Sequence, residues 1–449
     1  MKNIKFENDF LWGAAAASYQ IEGAAFEDGK GESIWDRFSH TPGRISDGTN
    51  GDIGCDHYHL YEQDIALMKE LGIQAYRLSI SWPRIFPDGT GAPNPKGIAF
   101  YKKLLKCLRE NGIKTAVTLY HWDLPQKLQD IGGWTNRKIA DYFEEYSRYV
   151  FGQLNCYVDW WITLNEPYCT AFLGYWRGVH APGMQDFSAA LLASHHLLLA
   201  HGKAVKAFRE TNTSGEIGIT LNMDSYYPAT ECEADRRAAE LSHEAWNLWF
   251  SDPIFGKGYP KLAWERYEGK VVLPDVHNSD FDTISAPIDF LGINNYFSDI
   301  CTACEDEWPL GVKQDFIGEN RTAMGWGINP EGFYDIITCM HKRYNGVKLY
   351  ITENGCAFND IVDIRGNVED YNRIDYFTRY LTSLHQAIED GANVKGYFAW
   401  SLMDNFEWAL GFSRRFGIIY VDYETKKRII KRSGYWYRDT IQQNGFLLD

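Results

Sequence analysis

Two glutamates far apart in the sequence stand in short polar motifs that directly follow apolar runs. Glu166 lies in Thr-Leu-Asn-Glu-Pro and Glu353 lies in Tyr-Ile-Thr-Glu-Asn-Gly. Cleavage of a glycosidic bond requires two carboxyl groups, one that protonates the leaving oxygen and one on the opposite face of the sugar. Each glutamate taken alone is equally compatible with a surface charge paired with arginine or lysine. Two of them, each beside an asparagine, favour a catalytic pair, because an amide can bind a sugar hydroxyl as charge develops.

The distance between such carboxyl groups decides the stereochemistry of the reaction. A separation of about 5 Å permits direct attack and retention, whereas about 6.5–9.5 Å leaves room for a water molecule and gives inversion. The spacing of the two motifs along the chain leaves both outcomes open.

A scaffold that brings the two motifs together is indicated by short apolar runs that recur along the chain. Runs of this kind, nearly continuous in apolar or small residues, are typical of strands buried on both faces. They cover residues 11–17, 75–80, 114–120, 159–164, 217–221, 290–294, 348–352 and 394–400.

Amphipathic helical patterns separate these runs, for example at 139–154, 191–208, 238–249, 333–344, 374–388 and 435–441. Eight alternating strand–helix units predict an α/β fold, a single (β/α)₈ TIM barrel with extended βα loops that spans residues 1–449 as one domain. An open doubly wound sheet would require a glycine-rich phosphate loop after its first strand, and the segment 18–23 does not match that motif.

The ends of the predicted strands carry amides, carboxylates and indoles, and in a TIM barrel the carboxyl ends of the strands form the active site. The sequence has no pair of cysteines or histidines at metal-ligand spacing there, and no acidic triad suited to Mg²⁺. We therefore expect no metal and no cofactor, and surroundings suited to a neutral polyol. A metal-dependent lyase or isomerase would place acidic clusters at these ends, and a sugar-binding protein without catalysis would have lost a carboxylate. A transglycosylase with the same residues stays open.

The overall composition narrows the class of partner. The formal net charge of −15 argues against a nucleic-acid partner, since binding to a polyanion needs a basic face. The sequence has no run of eighteen apolar residues, so no membrane partner is expected. Nine cysteines without a disulfide-like framework, and an N-terminus interrupted by Glu7 and Asp9, favour a cytoplasmic protein. A homo-oligomer is compatible with the sequence.

Five segments together resemble the family 1 glycoside hydrolases, and the resemblance extends over essentially the whole chain. They lie at 10–23 (Phe-Leu-Trp-Gly and, later, Ala-Ser-Tyr-Gln-Ile-Glu-Gly), 76–87, 119–125, 165–167 (Asn-Glu-Pro) and 352–355 (Thr-Glu-Asn-Gly). The resemblance implies a retaining β-glucosidase of bacterial type that acts by double displacement. Glu353 would be the nucleophile, and Glu166 would be the acid that later acts as base.

The same resemblance implies the roles of the surrounding residues. Arg77 and Tyr296 would support Glu353, although Arg77 is also compatible with a structural ion pair. A nearby cation lowers the pKa of a carboxyl group, while the charge of Glu353 should raise the pKa of Glu166. Asn165 would hold the 2-hydroxyl, and Trp400 would be the stacking floor of the sugar. The residues expected to bind the substrate are Gln20, His121, Trp122, Asn165, Asn294, Tyr296, Trp400, Glu407, Trp408 and Phe416.

The last polar loop bears on the choice of sugar. Within the family, enzymes for neutral sugars carry a carboxylate at the position of Glu407, whereas 6-phospho-glycosidases usually carry a serine. A carboxylate would repel a phosphate, and Phe416 has no hydroxyl that could bind one. We therefore predict an unphosphorylated glucoside of the cellobiose, aryl or alkyl type, with side activity on β-galactosides and β-fucosides. Arg414 stands where the phospho-enzymes carry a cation, so a 6-phospho-β-glucosidase is the alternative. The predicted aglycone residues are Asn222, Trp326 and His180, with Trp308 nearby.

Overall fold

The computed structural model describes residues 2–211, 215–318 and 320–448. Within these ranges eight parallel strands close into a barrel in the order β7-β8-β1-β2-β3-β4-β5-β6, with β6 pairing to β7. The strands are β1 (Leu11–Ala15), β2 (Ala75–Ser79), β3 (Lys114–Tyr120), β4 (Trp160–Asn165), β5 (Glu216–Asn222), β6 (Phe290–Asn294), β7 (Leu349–Asn354) and β8 (Val394–Trp400). The predicted TIM barrel is confirmed.

The strand bounds differ from the predicted ones by no more than two residues, and the difference at β7 has a physical reason. Glu353 pairs with Asn294 of β6, and Asn354 pairs with Ala399 of β8. The predicted strand ends at residue 352, but the backbones of Glu353 and Asn354 continue the ladder. The side chain of Glu353 lines the cavity at the barrel mouth, whereas that of Asn354 donates to the carbonyl of Asn295 and the hydroxyl of Tyr376. Glu353 is therefore held by the sheet itself, whereas Glu166 is the first residue after β4.

Eight long helices follow the strands and pack their apolar sides against the barrel. They are α1 (His57–Glu70), α2 (Pro95–Glu110), α3 (Ile139–Leu154), α4 (Phe187–Glu210), α5 (Glu233–His243), α6 (Pro330–Arg343), α7 (Tyr371–Glu389) and α8 (Arg432–Gln443), within the described part of the chain. Side-chain caps define three of their starts: Asn94 accepts from the amide of Lys96, Asp186 accepts from the amide of Ala189, and the sulfur of Cys232 accepts from the amide of Asp235. The predicted helix 238–249 is in fact the end of α5, a π-helical turn (Glu244–Leu248) and the start of a helix (Trp249–Ile254).

Shorter elements build up the loops above the barrel. A three-stranded sheet outside the barrel consists of Ser225–Pro228, Ser298–Ala303 and Val312–Phe316, and a hairpin of Ile419–Val421 and Arg428–Ile430 follows β8. A π-helix, Cys169–Trp176, begins three residues after Glu166. The shorter helices are Ser18–Ile21, Ile34–His40, Trp82–Ile85, Gln126–Asp130, Gly133–Thr135, Asn155–Tyr157, Lys261–Tyr267, Asp280–Ile284 and Trp408–Leu410.

The main apolar core includes buried side chains from every barrel strand and from the surrounding helices. At the amino-terminal side of the barrel, Lys2–Lys5 pairs antiparallel with Gly445–Leu448. None of the described helices combines the length and apolar character needed to cross a membrane.

Candidate active site

Glu353 is held at the carboxyl end of β7 by two donors on different elements. Its side chain is buried, and Oε1 accepts a hydrogen bond from Nη1 of Arg77 on β2. The hydroxyl of Tyr296, two residues beyond β6, donates to Oε2 at 2.6 Å. Nη2 of Arg77 donates to Oδ1 of Asn165 at 2.6 Å, which fixes the plane of the guanidinium. A cation and a hydroxyl therefore stabilise the ionised form of this carboxyl group.

Glu166 enters the same space from the end of β4, where the backbone turns sharply. Its φ of 45° lies in the left-handed region, and its amide donates to the carbonyl of Thr220 at 3.0 Å. Oε1 accepts from Nδ2 of Asn294 at 2.6 Å, and Oε2 accepts from the thiol of Cys169 at 3.2 Å. Neutral groups therefore donate to both oxygens of Glu166, whereas the cation Arg77 donates directly to Glu353.

Side-chain amides connect the two carboxyl groups into one network. The hydroxyl of Thr352 donates to Oδ1 of Asn294 at 2.7 Å, which directs the Asn294 amide group toward Asn165 and Glu166. The Asn165 amide nitrogen lies 3.0 Å from Nε2 of His121. Burial and the charge of Arg77 hold the pKa of His121 well below its usual value. His121 is therefore neutral, with Nε2 accepting from the amide.

The pKa values of the pair follow from burial and from these unequal neighbours. Burial, and next the charge of Glu353, raise the pKa of Glu166 to about 7. Burial also raises the pKa of Glu353, and Arg77 and Tyr296 oppose that rise. Arg77 lowers the pKa of Glu353, as expected for a nearby cation, but burial outweighs this effect and the pKa lies above its usual value. Since the strongest opposing interactions act on Glu353, the pair keeps its proton on Glu166 and its charge on Glu353 near neutral pH.

The two glutamates line one cavity of about 300 Å³ at the mouth of the barrel. This volume lies at the lower end of the usual range for small-molecule sites. The predicted site residues that line it with the glutamates are His121, Trp122, Asn165, Asn294, Tyr296, Trp400, Glu407, Trp408 and Phe416, together with Asn222, His180 and Trp326 from the predicted aglycone side.

Two predicted residues contribute from behind the cavity wall. Arg77 is buried and reaches Glu353 from below. Gln20 is fully buried, and its Nε2 donates to Oδ1 of Asn405 at 2.9 Å and to the carbonyl of Phe406 at 2.8 Å. Its Oε1 has no partner within the described residues. Gln20 therefore positions the loop that carries Glu407 and keeps one acceptor free.

Aromatic rings form two walls of the cavity. The ring of His121 stacks between those of Trp400 and Trp408, with centroids 6.0 and 5.8 Å away. On the other side Trp326 lies 5.3 Å from Tyr296 and 6.1 Å from Phe416. Flat apolar faces with polar groups between them suit a sugar ring, which has both kinds of surface.

Glu407 supplies a third carboxyl group to the cavity. Burial, and then the charges of Glu353 and Glu166, raise its pKa to about 8, and the Gln20 amide opposes the rise. Its Oε2 has no hydrogen-bond partner in the part of the chain that the structure describes. Arg414, the cation considered for a phosphate, does not appear in the cavity lining and donates to the Ser413 carbonyl at 3.2 Å.

Comparison with known proteins agrees with this arrangement over almost the entire chain. The model of the family described as "Glycosyl hydrolase family 1" matches residues 2–446.

The chain belongs to glycosyl hydrolase family 1.

Relatives of this family 1 chain carry related names. "Beta-glucosidase A" of Acetivibrio thermocellus is 51% identical over 99% of this chain and 100% of the relative. "1,4-beta-D-glucan glucohydrolase" of Thermotoga neapolitana is 50% identical over 98% of this chain and 99% of the relative. The solved structure "Family 1 b-glucosidase from Thermotoga maritima" superposes with a TM-score of 0.97 at 48% identity and covers 100% of both chains. Another structure of that protein contains deoxynojirimycin, with a TM-score of 0.96 at 49% identity over 99% of this chain and 100% of the other.

Several residues that line the active-site cavity were not predicted from the sequence. Cys169 and Asp224 line the cavity, as do Leu173, Trp246, Phe297, Met324, Ala409 and Leu410. Cys169 follows Glu166 by three residues, and Asp224 follows the end of β5 by two, so position after a strand end was the signal for both. The others come from long loops without such a signal. Trp308 lies outside this cavity, in a neighbouring groove.

Proposed function

We propose that the chain is a retaining β-glucosidase that releases terminal, non-reducing β-D-glucosyl residues by double displacement. The observation that carries the proposal is the unequal pair in one cavity. Glu353 has a cation and a hydroxyl on its oxygens, and Glu166 has a pKa raised to about 7 and two neutral donors. One carboxylate and one carboxylic acid facing a shared space are the groups that glycoside hydrolysis requires, and membership of family 1 supports the retaining course.

In the proposed first step, Glu353 attacks the anomeric carbon while Glu166 gives its proton to the glycosidic oxygen. The bond to the leaving group breaks and an ester between the sugar and Glu353 forms. In the second step, Glu166, now ionised, takes a proton from water as that water attacks the anomeric carbon. Glu353 leaves, and both carboxyl groups return to their starting states.

Glucose is the proposed sugar because of the groups at the end of the cavity that Glu407 lines. Glu407 has an oxygen without a protein partner among the described residues, so it is available to sugar hydroxyls. The stacked rings of His121, Trp400 and Trp408 support the apolar face of the ring. Since these groups recognise a hydroxylated ring in general, β-galactosides and β-fucosides are the proposed side substrates.

The leaving group is proposed to lie between Asn222, His180 and Trp326, which line the cavity together. Aromatic and amide groups tolerate many aglycones, which supports cellobiose-type disaccharides as well as aryl and alkyl glucosides. The names of the relatives, a β-glucosidase and a 1,4-β-D-glucan glucohydrolase, are consistent with this substrate class.

Trapping tests the proposed nucleophile. A 2-deoxy-2-fluoro-glucosyl fluoride should inactivate the protein with time and leave a glycosylated peptide that contains Glu353, identified by mass spectrometry. NMR of the first product from a nitrophenyl glucoside should show β-glucose before mutarotation. A label on another residue, or α-glucose as the first product, would overturn the double displacement.

Steady-state kinetics separates this proposal from a 6-phospho-β-glucosidase. The nitrophenyl β-glucoside should have a higher kcat/KM than its 6-phosphate, because the described residues of the cavity lining include no lysine or arginine to bind a phosphate, and the carboxylate of Glu353 lies there beside the carboxyl group of Glu407. Glu407→Ser should reduce that preference. A higher kcat/KM for the 6-phosphoglucoside in the unmodified protein would decide for the alternative.

A further inference from the structure

Glu407 and Trp408, two residues of the cavity lining, lie on a tight turn in the loop after β8. Backbone hydrogen bonds close the turn, from the amide of Glu407 to the carbonyl of Gly411 at 2.6 Å and from the amide of Gly411 to the carbonyl of Trp408 at 3.1 Å. Trp408 has a φ of 49°, which is unfavourable for a bulky side chain. Such a conformation persists only where surrounding contacts hold it. The position of the Glu407 carboxyl group therefore depends on what packs against the turn.

A segment of the loop between β1 and α1, residues 44–49, contacts this turn, and we call it the strap. The amide of Ser46 donates to the carbonyl of Ala409 at 2.8 Å. Oδ2 of Asp47 accepts from the amide of Phe412 at 2.7 Å. Two hydrogen bonds thus connect the strap to residues within the turn and directly after it.

Asp47 lies against the turn at a place where glycine leaves room for it. Gly411 has a φ of 60° and a ψ of −138°, a conformation that glycine adopts readily and other residues rarely adopt. A Cβ atom on Gly411 would lie 1.9 Å from Oδ1 of Asp47. Oδ1 also accepts from the amide and the hydroxyl of Thr49, at 3.0 and 2.6 Å, so the strap itself orients the carboxylate. The turn and the carboxylate are therefore complementary in shape and in hydrogen bonding.

Asp47 is exposed to solvent and is not among the described residues that line the active-site cavity. Any effect of Asp47 on the substrate must therefore pass through the turn. Hydrogen bonds to a carboxylate are stronger than those between neutral groups. Because the side chain is exposed, its removal leaves no cavity in the core, and the fold of the barrel should persist without it.

We propose that Asp47 is a positioning residue for recognition of the sugar: it holds the turn that carries Glu407 and so sets the selectivity for the substituent at C6. The inference rests on the proposed β-glucosidase function. Within the family, position 407 differs between enzymes for neutral sugars and 6-phospho-glycosidases, which supports a place for Glu407 beside C6. A displaced turn moves the carboxyl group of Glu407 away from the 6-hydroxyl, while Glu166 and Glu353, on other strands, stay in place.

The ratio of kcat/KM for nitrophenyl β-glucoside to kcat/KM for nitrophenyl β-xyloside, which lacks C6, measures this selectivity. Asp47→Ala should lower the ratio by about tenfold, through the glucoside, because a displaced polar group loses the hydrogen bonds that distinguish the two sugars. Asp47→Asn, which keeps one acceptor oxygen, should retain part of the selectivity. In a Glu407→Ala background, Asp47→Ala should not change the ratio further, since Asp47 acts through Glu407.

Asp363→Ala is the matched control, because Asp363 is an exposed aspartate that accepts from the amides of Arg365 and Asn367 within its own loop. It should leave the ratio unchanged. A ratio near one in the unmodified protein, an equal loss for both substrates in Asp47→Ala, or a further fall in the Glu407→Ala background would overturn the role of Asp47. Absence of turnover of nitrophenyl glucoside in the unmodified protein would instead refute the proposed function, so the two failures are distinguishable.

Discussion

Glu166 and Glu353 have similar burial, and their different hydrogen-bond partners set their different roles. Glu166→Ala should therefore lower kcat/KM by about 10²–10⁴-fold for alkyl glucosides, the usual contribution of general acid catalysis. Dinitrophenyl glucosides, whose leaving groups need little protonation, should lose far less in kcat/KM. Steady-state kinetics across a series of leaving groups checks this difference. Equal losses for both kinds of leaving group would contradict the acid role of Glu166.

The thiol of Cys169 adds a second residue-scale prediction, because it donates to Glu166 Oε2 at 3.2 Å and so favours the ionised form. The first step needs Glu166 protonated, so kcat/KM should fall as the pH rises through about 7, the pKa of this group. Cys169→Ala removes the donor, which raises the pKa of Glu166 and moves this alkaline limb to higher pH. Cys169→Ser supplies a stronger donor and should move the limb to lower pH. Shifts in the same direction for both variants would refute the proposed tuning.

The catalytic pair was predictable from the sequence, whereas the donors to Glu166 were only partly so. Both glutamates stand in motifs at strand ends, and the fold brings strand ends together. Asn294 was predicted for the same reason. Cys169 was not, because its contact depends on the π-helical turn Cys169–Trp176, and nothing in the residue pattern distinguishes that turn from an α-helix. The direction of the Glu353 pKa also depends on burial, which exists only in the folded barrel.

At the scale of elements, buried ion pairs connect the loops after β7 and β8 to the start of α8. Lys431 is fully buried and donates to Asp360 at 2.5 Å and to Asp404 at 2.6 Å. Lys431→Met should lower the free energy of unfolding by about 1.5–3 kcal/mol, since Asp360 and Asp404 lose a shared buried cation and keep only their arginine partners, Arg373 and Arg415. Urea unfolding followed by circular dichroism measures the change. Lys127→Met, which removes an exposed partner of Asp88, is the control and should cost less than about 1 kcal/mol. A similar small effect at Lys431 would contradict this role.

Strand positions were predictable at the element scale because strands buried on both faces are continuous apolar runs. The inserted loop elements were not: the strand Val312–Phe316 contains lysine, glutamine and aspartate and has exposed residues, so its sequence has no apolar run. Its register with Ser298–Ala303 arises from a hairpin that is defined only in three dimensions. This is also why the groove beside the active site, which these segments border, was not foreseen.

At the scale of the whole molecule, the two ends of the chain meet on the side of the barrel opposite the active site. Ile4 pairs with Phe446, both side chains are buried, and Nε1 of Trp12 on β1 donates to Oδ1 of Asn444 at 2.9 Å. The pairing joins the segment before β1 to the segment after α8, so it closes the amino-terminal side of the barrel. Stability and catalysis should therefore be separable here, because these contacts lie far from the strand ends that carry the glutamates.

Phe446→Ala should lower the free energy of unfolding by about 3–5 kcal/mol, the usual cost of removing a buried phenylalanine ring. At 25 °C, where the variant is still folded, kcat/KM for nitrophenyl glucoside should stay within about twofold of the unmodified value, since a loss of stability does not alter the geometry of the folded site. Leu447→Ala is the matched control on the same strand, because Leu447 is 58% exposed, and its effect on stability should stay below about 0.5 kcal/mol. Urea midpoints and steady-state kinetics on the same preparations give both quantities. A large fall in kcat/KM without a change in the unfolding midpoint would show that the terminal strands act on the active site rather than on closure of the barrel.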